Sequence, residues 1–258
     1  MTMLQADRLC YRAGDVPLVE DASFSLPSGG LTMLIGPNGS GKSTLLRLAM
    51  GLLRANSGHA RLQGNDVSRL TPAERARRVA YLPQDRSLAW PQPVQDIVAL
   101  GRFAHGGAPG RLTGADRSAV ASAISDCGLT GFERRAVDTL SGGELARVHM
   151  ARAIAAQTPL LIADEPIAAL DPRYQHEVMQ LFARLSGAGR TVLAVVHDLN
   201  LAALYADRLI WMRDGRIVAD GPPMQTLTEE RLREVFRVEG TVRTAGKTVQ
   251  VDISGISS

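Results

Sequence analysis

Apolar and polar positions along the chain fall into three textures. From the start to Gly36, turns alternate with short apolar runs, ADRLCY, VEDASFSL and GLTMLIG, a rhythm that predicts a small antiparallel sheet leading into a first core strand. Leucines at helical spacing in KSTLLRLAMGLL predict a helix from Lys42 that ends near Gly51. Further strands are predicted at GHARLQG, RRVAYLPQ, PLLIADEP and RTVLAVVHD. The last two are continuous apolar runs, as parallel strands buried on both faces require, and are expected to be central. Between Gln84 and Leu140 the texture changes to helical pieces rich in proline, glycine and alanine, among them VQDIVALGR and DRSAVASAISDCGL, joined by a loose AHGGAPGRLTG. This stretch predicts a helical subdomain inserted over about 85–157. Near the end, RLIWMRDGRIVADG predicts a hairpin on an Asp214-Gly215 turn, followed by a charged helix TEERLREVF and a short polar tail, together about 208–258. The expectation is a single α/β domain over 1–258 with a mostly parallel sheet, an N-terminal antiparallel β-subdomain and the helical insertion.

Composition narrows the classes. A chain of 258 residues can bury a core of this size. The formal charge of +3, with both signs interspersed, offers no basic stripe for a nucleic acid, and no nucleic-acid partner is expected. Cys10 and Cys127 are too few and too far apart for a disulfide framework, so ordinary thiols in a reducing compartment are expected. The start, MTMLQADRLC, has neither a cationic leader nor a long apolar run, and no window approaches a membrane span.

LIGPNGSGKSTLL, Leu34 to Leu46, holds the densest chemistry. Gly36, Gly41, Lys42 and Ser43 fit G-x-x-x-x-G-K-[ST] between a strand and a helix, the context in which bare backbone N–H groups cradle phosphate. The cradle would run through Gly36, Pro37, Asn38, Gly39, Ser40, Gly41, Lys42, Ser43 and Thr44, with Lys42 neutralising phosphate charge and Ser43 able to hold Mg²⁺. The fold class is then a P-loop NTPase core. LLIADEP puts Asp164 and Glu165 just past a buried strand, where open α/β sheets bind ligands. There Asp164 would take Mg²⁺ and Glu165 would polarise the attacking water as general base; without the phosphate loop the pair would read as a turn before Pro166. His197 and Gln84 end two other predicted strands. His197 is a candidate donor to the γ-phosphate and Gln84 a candidate reaching metal or water, and each has a structural reading as well. Ser141, Gly142 and Gly143 in LSGGELARVHMARAIA form a second bare-backbone helix start; alone they read as a good N-cap, with Ser141 capping and Glu144 in the first turn.

Taken in order, these pieces resemble the ATP-binding cassette family over nearly the whole chain: Walker A GPNGSGKS, Gln84 of the Q-loop, the signature LSGGE, Walker B LLIADE, ALD of the D-loop and His197 of the switch. The resemblance implies an ATPase using ATP and Mg²⁺, the latter through Ser43, Gln84 and Asp164, with Glu165, His197, Gln84 and Lys42 as the catalytic group. It implies a head-to-tail homodimer in which Ser141, Gly142 and Gly143 of one copy close over ATP held by the other copy's Walker A. Tyr11 would stack on adenine and Asp171 would serve the D-loop. LGRFAH (Arg102, His105), SGGELARVHMARA and LTEERLREVF look like cassettes of importers for iron–siderophore, haem or cobalamin. Partners so implied are transmembrane permease subunits and, indirectly, a substrate-binding protein, with this chain peripheral on the cytoplasmic face of the inner membrane. An exporter or metal-ion importer cassette is the nearest alternative; a soluble ABC ATPase would usually carry a coiled-coil insertion or a second cassette. Two departures stand out: Glu144 replaces the commoner glutamine, and Ala169 stands where a serine is frequent.

Overall fold

The computed structural model describes residues 1–84, 91–168, 170–246 and 248–256, so Ala169 and Asp85, where the insertion is expected to begin, lie outside the described residues. Contacts divide the chain into two units, Met1–Leu70 with Phe182–Ser258, and Thr71–Leu181.

The first unit opens with β1 (Thr2–Ala13) and β2 (Val16–Pro27), an antiparallel pair. In β2 the apolar residues Ala22, Phe24 and Leu26 alternate with exposed positions. The alternation slips between Val19 and Ala22, where Asp21 adopts φ 51° and the register with β1 shifts, the signature of a bulge. β3 (Leu31–Ile35) is buried at every position and leads into α1 (Lys42–Ala49), beyond which Gly51 has φ 68°. β4 (Ser57–Leu62) and β5 (Asn65–Asp66) complete a four-stranded antiparallel sheet in the order β2-β1-β4-β5.

In the second unit Thr71 and Glu74 form a capping box that starts α2 (Pro72–Arg78), with Pro72 at the first helical position. β6 (Val79–Leu82), α3 (Val94–Ala99), α4 (Gly114–Asp126), α5 (Gly142–Ala155) and β7 (Leu160–Ala163) follow. β6 and β7 pair in parallel from Val79↔Leu160 to Leu82↔Ala163, and α3, α4 and α5 pack on one another. Arg102 is buried among these helices. Its Nε donates to Asp116 at 2.8 Å and its Nη1 to the carbonyl of Ala155 at 2.9 Å, while His105 Nε2 lies 2.9 Å from the carbonyl of Ala156. Both basic residues of LGRFAH therefore meet the carboxyl end of α5, where a helix favours cations.

α6 (Pro172–Gly187) carries the chain back to the first unit. There β8 (Thr191–Val195), α7 (Leu199–Tyr205), β9 (Arg208–Arg213) and β10 (Arg216–Gly221) follow. β3 pairs in parallel with β8 and β9, and β10 adds an antiparallel edge. The β9–β10 turn has Asp214 at φ 48° and Gly215 at φ 79°, the two positive values that a tight hairpin turn with right-handed strand twist demands. After a short α8 (Pro223–Thr226), the charged helix is present as α9 (Glu229–Arg231) and a π turn over Leu232–Phe236.

The polar tail expected after that helix is instead an antiparallel hairpin of β11 (Val238–Ala245) and β12 (Thr248–Ile256). Val249 and Val251 are buried and β12 packs against α7. Only those two positions of β12 need to be apolar, so composition alone gives the segment the look of a tail.

Candidate functional site

β3 ends at Ile35, and the loop that follows is compressed by its neighbours. Gly36, at φ 156°, sits so close to the end of β9 that a Cβ on it would lie 2.1 Å from the carbonyl oxygen of Met212. Gly41, at φ 95°, would bring a Cβ within 2.3 Å of the carbonyl oxygen of Leu18 on β2. Bare backbone is therefore a steric requirement of this turn. Gly41 is also the N-cap of α1, with no side-chain cap and no acidic residue in the first turn. The amino end of the helix is thus left to an anion. Lys42 is buried, its Nζ donating to the carbonyls of Gly36 and Pro37 at 2.8 and 2.7 Å, and the buried Ser40 Oγ has no hydrogen-bond partner among the described residues. Ser43 and Thr44 are half-buried in the first turn, while Asn38 and Gly39 are exposed.

Two more predicted residues belong to this unit. The register Leu34↔Val195, with Val196 N–H donating to Leu34 O at 3.4 Å, sets His197 level with the first residues of the loop, and its side chain is exposed. Tyr11 is half-buried on β1 opposite Val19, the neighbour of the Leu18 that crowds Gly41.

In the second unit the strand ends bring three predicted residues together. Asp164 N–H donates to the carbonyl of Leu82 at 2.8 Å, which extends the β6–β7 pairing by one residue. The side chain of Asp164 is fully buried; Tyr81 Oη donates to its Oδ2 at 3.1 Å, and its Oδ1 has no hydrogen-bond partner among the described residues. Glu165 takes φ 50°, a left-handed conformation costly for a residue with a side chain, and Gln84 Nε2 donates to its Oε2 at 2.9 Å. Tyr81 escapes sequence reasoning because VAYLPQ reads as an ordinary buried strand; its half-buried position opposite Ile162 is the only signal, and it needs the register of β6 on β7.

Ser141 and Glu144 form a reciprocal capping box at the start of α5. Glu144 N–H donates to Ser141 Oγ at 3.3 Å and Ser141 N–H to Glu144 Oε2 at 2.7 Å. Ser141 and Gly142 are exposed and Gly143 is half-buried. The backbone N–H of Ser141 and then its hydroxyl hold the Glu144 carboxyl below the usual range, helped by the charges of Arg135 and Arg147. Asp171 Oδ1 accepts from Tyr174 N–H at 3.1 Å, which places it at the start of α6.

The family model described as "ABC transporter" matches residues 19–168, more than half of the chain. This chain belongs to the ABC transporter family. Among curated relatives, the cassette is 36% identical over 249 residues to the iron(3+)-hydroxamate import ATP-binding protein FhuC of Bacillus subtilis (strain 168), an alignment that covers 96% of this chain and 93% of that one. It is 40% identical over 250 residues to the hemin import ATP-binding protein HmuV of Rhodopseudomonas palustris (strain BisA53), covering 94% and 90%. A solved structure described as a metal-chelate type ABC transporter in an inward-facing conformation superposes on the cassette with a TM-score of 0.82 at 25% identity, over 99% of this chain and 98% of that one. A cassette solved as a dimer in a post-hydrolysis state with ADP and phosphate gives 0.76 at 25% identity, over 86% and 99%. The P-loop NTPase fold and the ATPase class of the cassette follow.

Proposed function

We propose that this cassette is the ATP-hydrolysing subunit of an importer that takes up a metal-chelate cargo (iron–siderophore, haem or cobalamin) through separate permease subunits. The observation that carries the reading is the end-to-end likeness to relatives named for iron-hydroxamate and hemin import. No helix among the described residues is long and apolar enough to cross a membrane, which fits a peripheral subunit at the cytoplasmic face of the inner membrane, working with membrane chains and, through them, a substrate-binding protein.

In this reading Tyr11 stacks on adenine, the loop from Gly36 to Thr44 holds the phosphates, and Lys42 balances their charge. Glu165 accepts the proton of the attacking water, Gln84 orients Glu165, and His197 donates to the γ-phosphate. Asp164 fits Mg²⁺, because its buried Oδ1 has no hydrogen-bond partner among the described residues and a cation would satisfy it; Ser43 and Gln84 are the other residues assigned to the ion. When bound, Mg²⁺ would supply neutralisation of phosphate charge. Two copies pair head to tail, with Ser141, Gly142 and Gly143 of one closing over ATP on the other and Asp171 at the junction. Closure buries γ-phosphate charge between helix amino ends, and hydrolysis restores repulsion and reopens the pair.

The permease surface in this reading is an apolar groove of about 790 Å³ in the second unit, lined by Ala76, Tyr81, Leu100, Phe103 and Ala153 among others. Phe103 is 73% exposed there, an unusual exposure for a large ring. The test is affinity purification of tagged Glu165→Gln from detergent-solubilised host membranes with ATP present, followed by mass spectrometry. Recovery of a many-span permease is expected; recovery of soluble partners only would overturn the importer reading.

A further inference from the structure

The C-terminal hairpin is fastened to the helix that begins just after His197. Asn200, in the first turn of α7, uses both ends of its amide on a single residue of β12. Its Nδ2 donates to the carbonyl of Val251 at 3.0 Å, and Val251 N–H donates back to its Oδ1 at 2.8 Å. A side-chain amide thereby imitates one rung of a β-ladder, a contact with a fixed plane and direction. On the other side of the turn, Asp198 caps α7 by accepting from the N–H groups of Asn200 and Leu201 at 2.8 and 2.9 Å.

His197 is caught between these fixed points. Val196 is held to β3 through Leu34, Asp198 is held to the start of α7, and Asn200 ties that start to the hairpin. The imidazole lines a cavity of about 350 Å³ whose other walls include Asn200, Phe236, Val251 and Ile253. The imidazole therefore borders the same space as the latched pair of Asn200 and Val251, and its place there follows the backbone that carries it.

We infer that Asn200 is a positioning residue for His197, and that the C-terminal hairpin is the fixed point against which the switch histidine is set. The inference rests on the reading of His197 as the donor to the γ-phosphate. It assigns a role in hydrolysis to a segment remote in sequence from every nucleotide motif. Loss of the latch lowers turnover while leaving the phosphate loop, and so nucleotide affinity, in place.

The test compares Asn200→Ala and Asn200→Asp in the full chain, with His197→Ala alongside. Asp keeps the acceptor for Val251 N–H and loses the donor, so it serves as the milder variant. For Asn200→Ala, kcat is expected to fall about tenfold with KM for ATP within about twofold, and Asn200→Asp to fall between it and the parent. The imidazole resonance of His197, assigned by its loss in His197→Ala, is expected to shift in Asn200→Ala. Parental kcat in Asn200→Ala overturns the inference, as does a fall in kcat with an unmoved His197 resonance. Failure of both variants to fold assigns Asn200 to structure alone and overturns it too. A fully active His197→Ala would instead overturn the reading of the histidine itself.

Discussion

Gln84 Nε2 donates to Glu165 Oε2 across 2.9 Å, joining residues that each lie two positions beyond the end of a strand of the parallel β6–β7 pair. An amide can orient a carboxylate without supplying a cation to neutralise it. That distinguishes Gln84 from a lysine or arginine at the same place, which would form an ion pair and weaken the base. Glu165 also holds a left-handed backbone, a cost that persists where surrounding structure enforces it.

The pair yields the first prediction. Glu165→Gln should retain ATP binding and lose turnover by about a hundredfold or more, as removal of a general base does. Gln84→Ala should leave the base in place without the amide that orients it, and so reduce kcat by a smaller factor. Single-turnover hydrolysis with a fluorescent nucleotide-binding control measures both. Parental turnover in Glu165→Gln would remove that residue from the role of base.

The glycines of the phosphate loop give a comparison internal to one turn. Gly39 and Gly41 both have positive φ, but a Cβ on Gly39 meets nothing within 4 Å while one on Gly41 meets the Leu18 carbonyl at 2.3 Å. Gly39→Ala should carry only the backbone cost, about 1–2 kcal/mol. Gly41→Ala should add a clash with rigid main chain, lower Tm further and abolish nucleotide binding. Equal melting temperatures for the two variants would show that the loop yields and that contact with β2 does not constrain it.

Much of this chemistry is legible in sequence because it is local. The phosphate loop, the Asp164–Glu165 pair and the Ser141 cap each depend on a few consecutive residues, and the apolar runs before them fix which strand or helix end they occupy. Contacts that need packing are not legible. Tyr81 reaches Asp164 only through the parallel register of β6 and β7, and Arg102, read from sequence as a mark of resemblance, owes its burial to Asp116 on another helix. The C-terminal hairpin is hidden for a related reason: Val249 and Val251 are the buried residues of a strand whose other apolar side chains, Ile253 and Ile256, are exposed, and their meaning comes from α7.

Asp116 provides a prediction in pH. The hydroxyl of Thr113 and then Arg102 lower its carboxyl to about 2. Its ordinary value is about 3.9. A depressed carboxyl adds stability that is complete above the unfolded value and disappears as pH falls through the folded one. The difference in Tm between parent and Asp116→Asn should therefore be largest above about pH 4 and shrink toward pH 2. A difference that stays constant over that range would mean that the charge of Asp116 does not stabilise the helices.

The exposed ring of Phe103 separates the partner surface from the fold. At 73% exposure its side chain contributes little to the stability of the cassette, and Phe103→Asp should change stability by no more than about 0.5 kcal/mol. In the groove beside Leu100, however, a carboxylate would have to be stripped of water when an apolar partner segment docks, and Arg77 and Arg152 in the lining offset that cost only in part. Carried in the Glu165→Gln background, Phe103→Asp should reduce the permease recovered from solubilised membranes about tenfold or more, with thermal unfolding unaltered. Undiminished recovery would move the docking surface elsewhere on the cassette. A matching fall in stability would instead show that the ring holds the second unit together, since a purely interfacial side chain leaves the free subunit as stable as before.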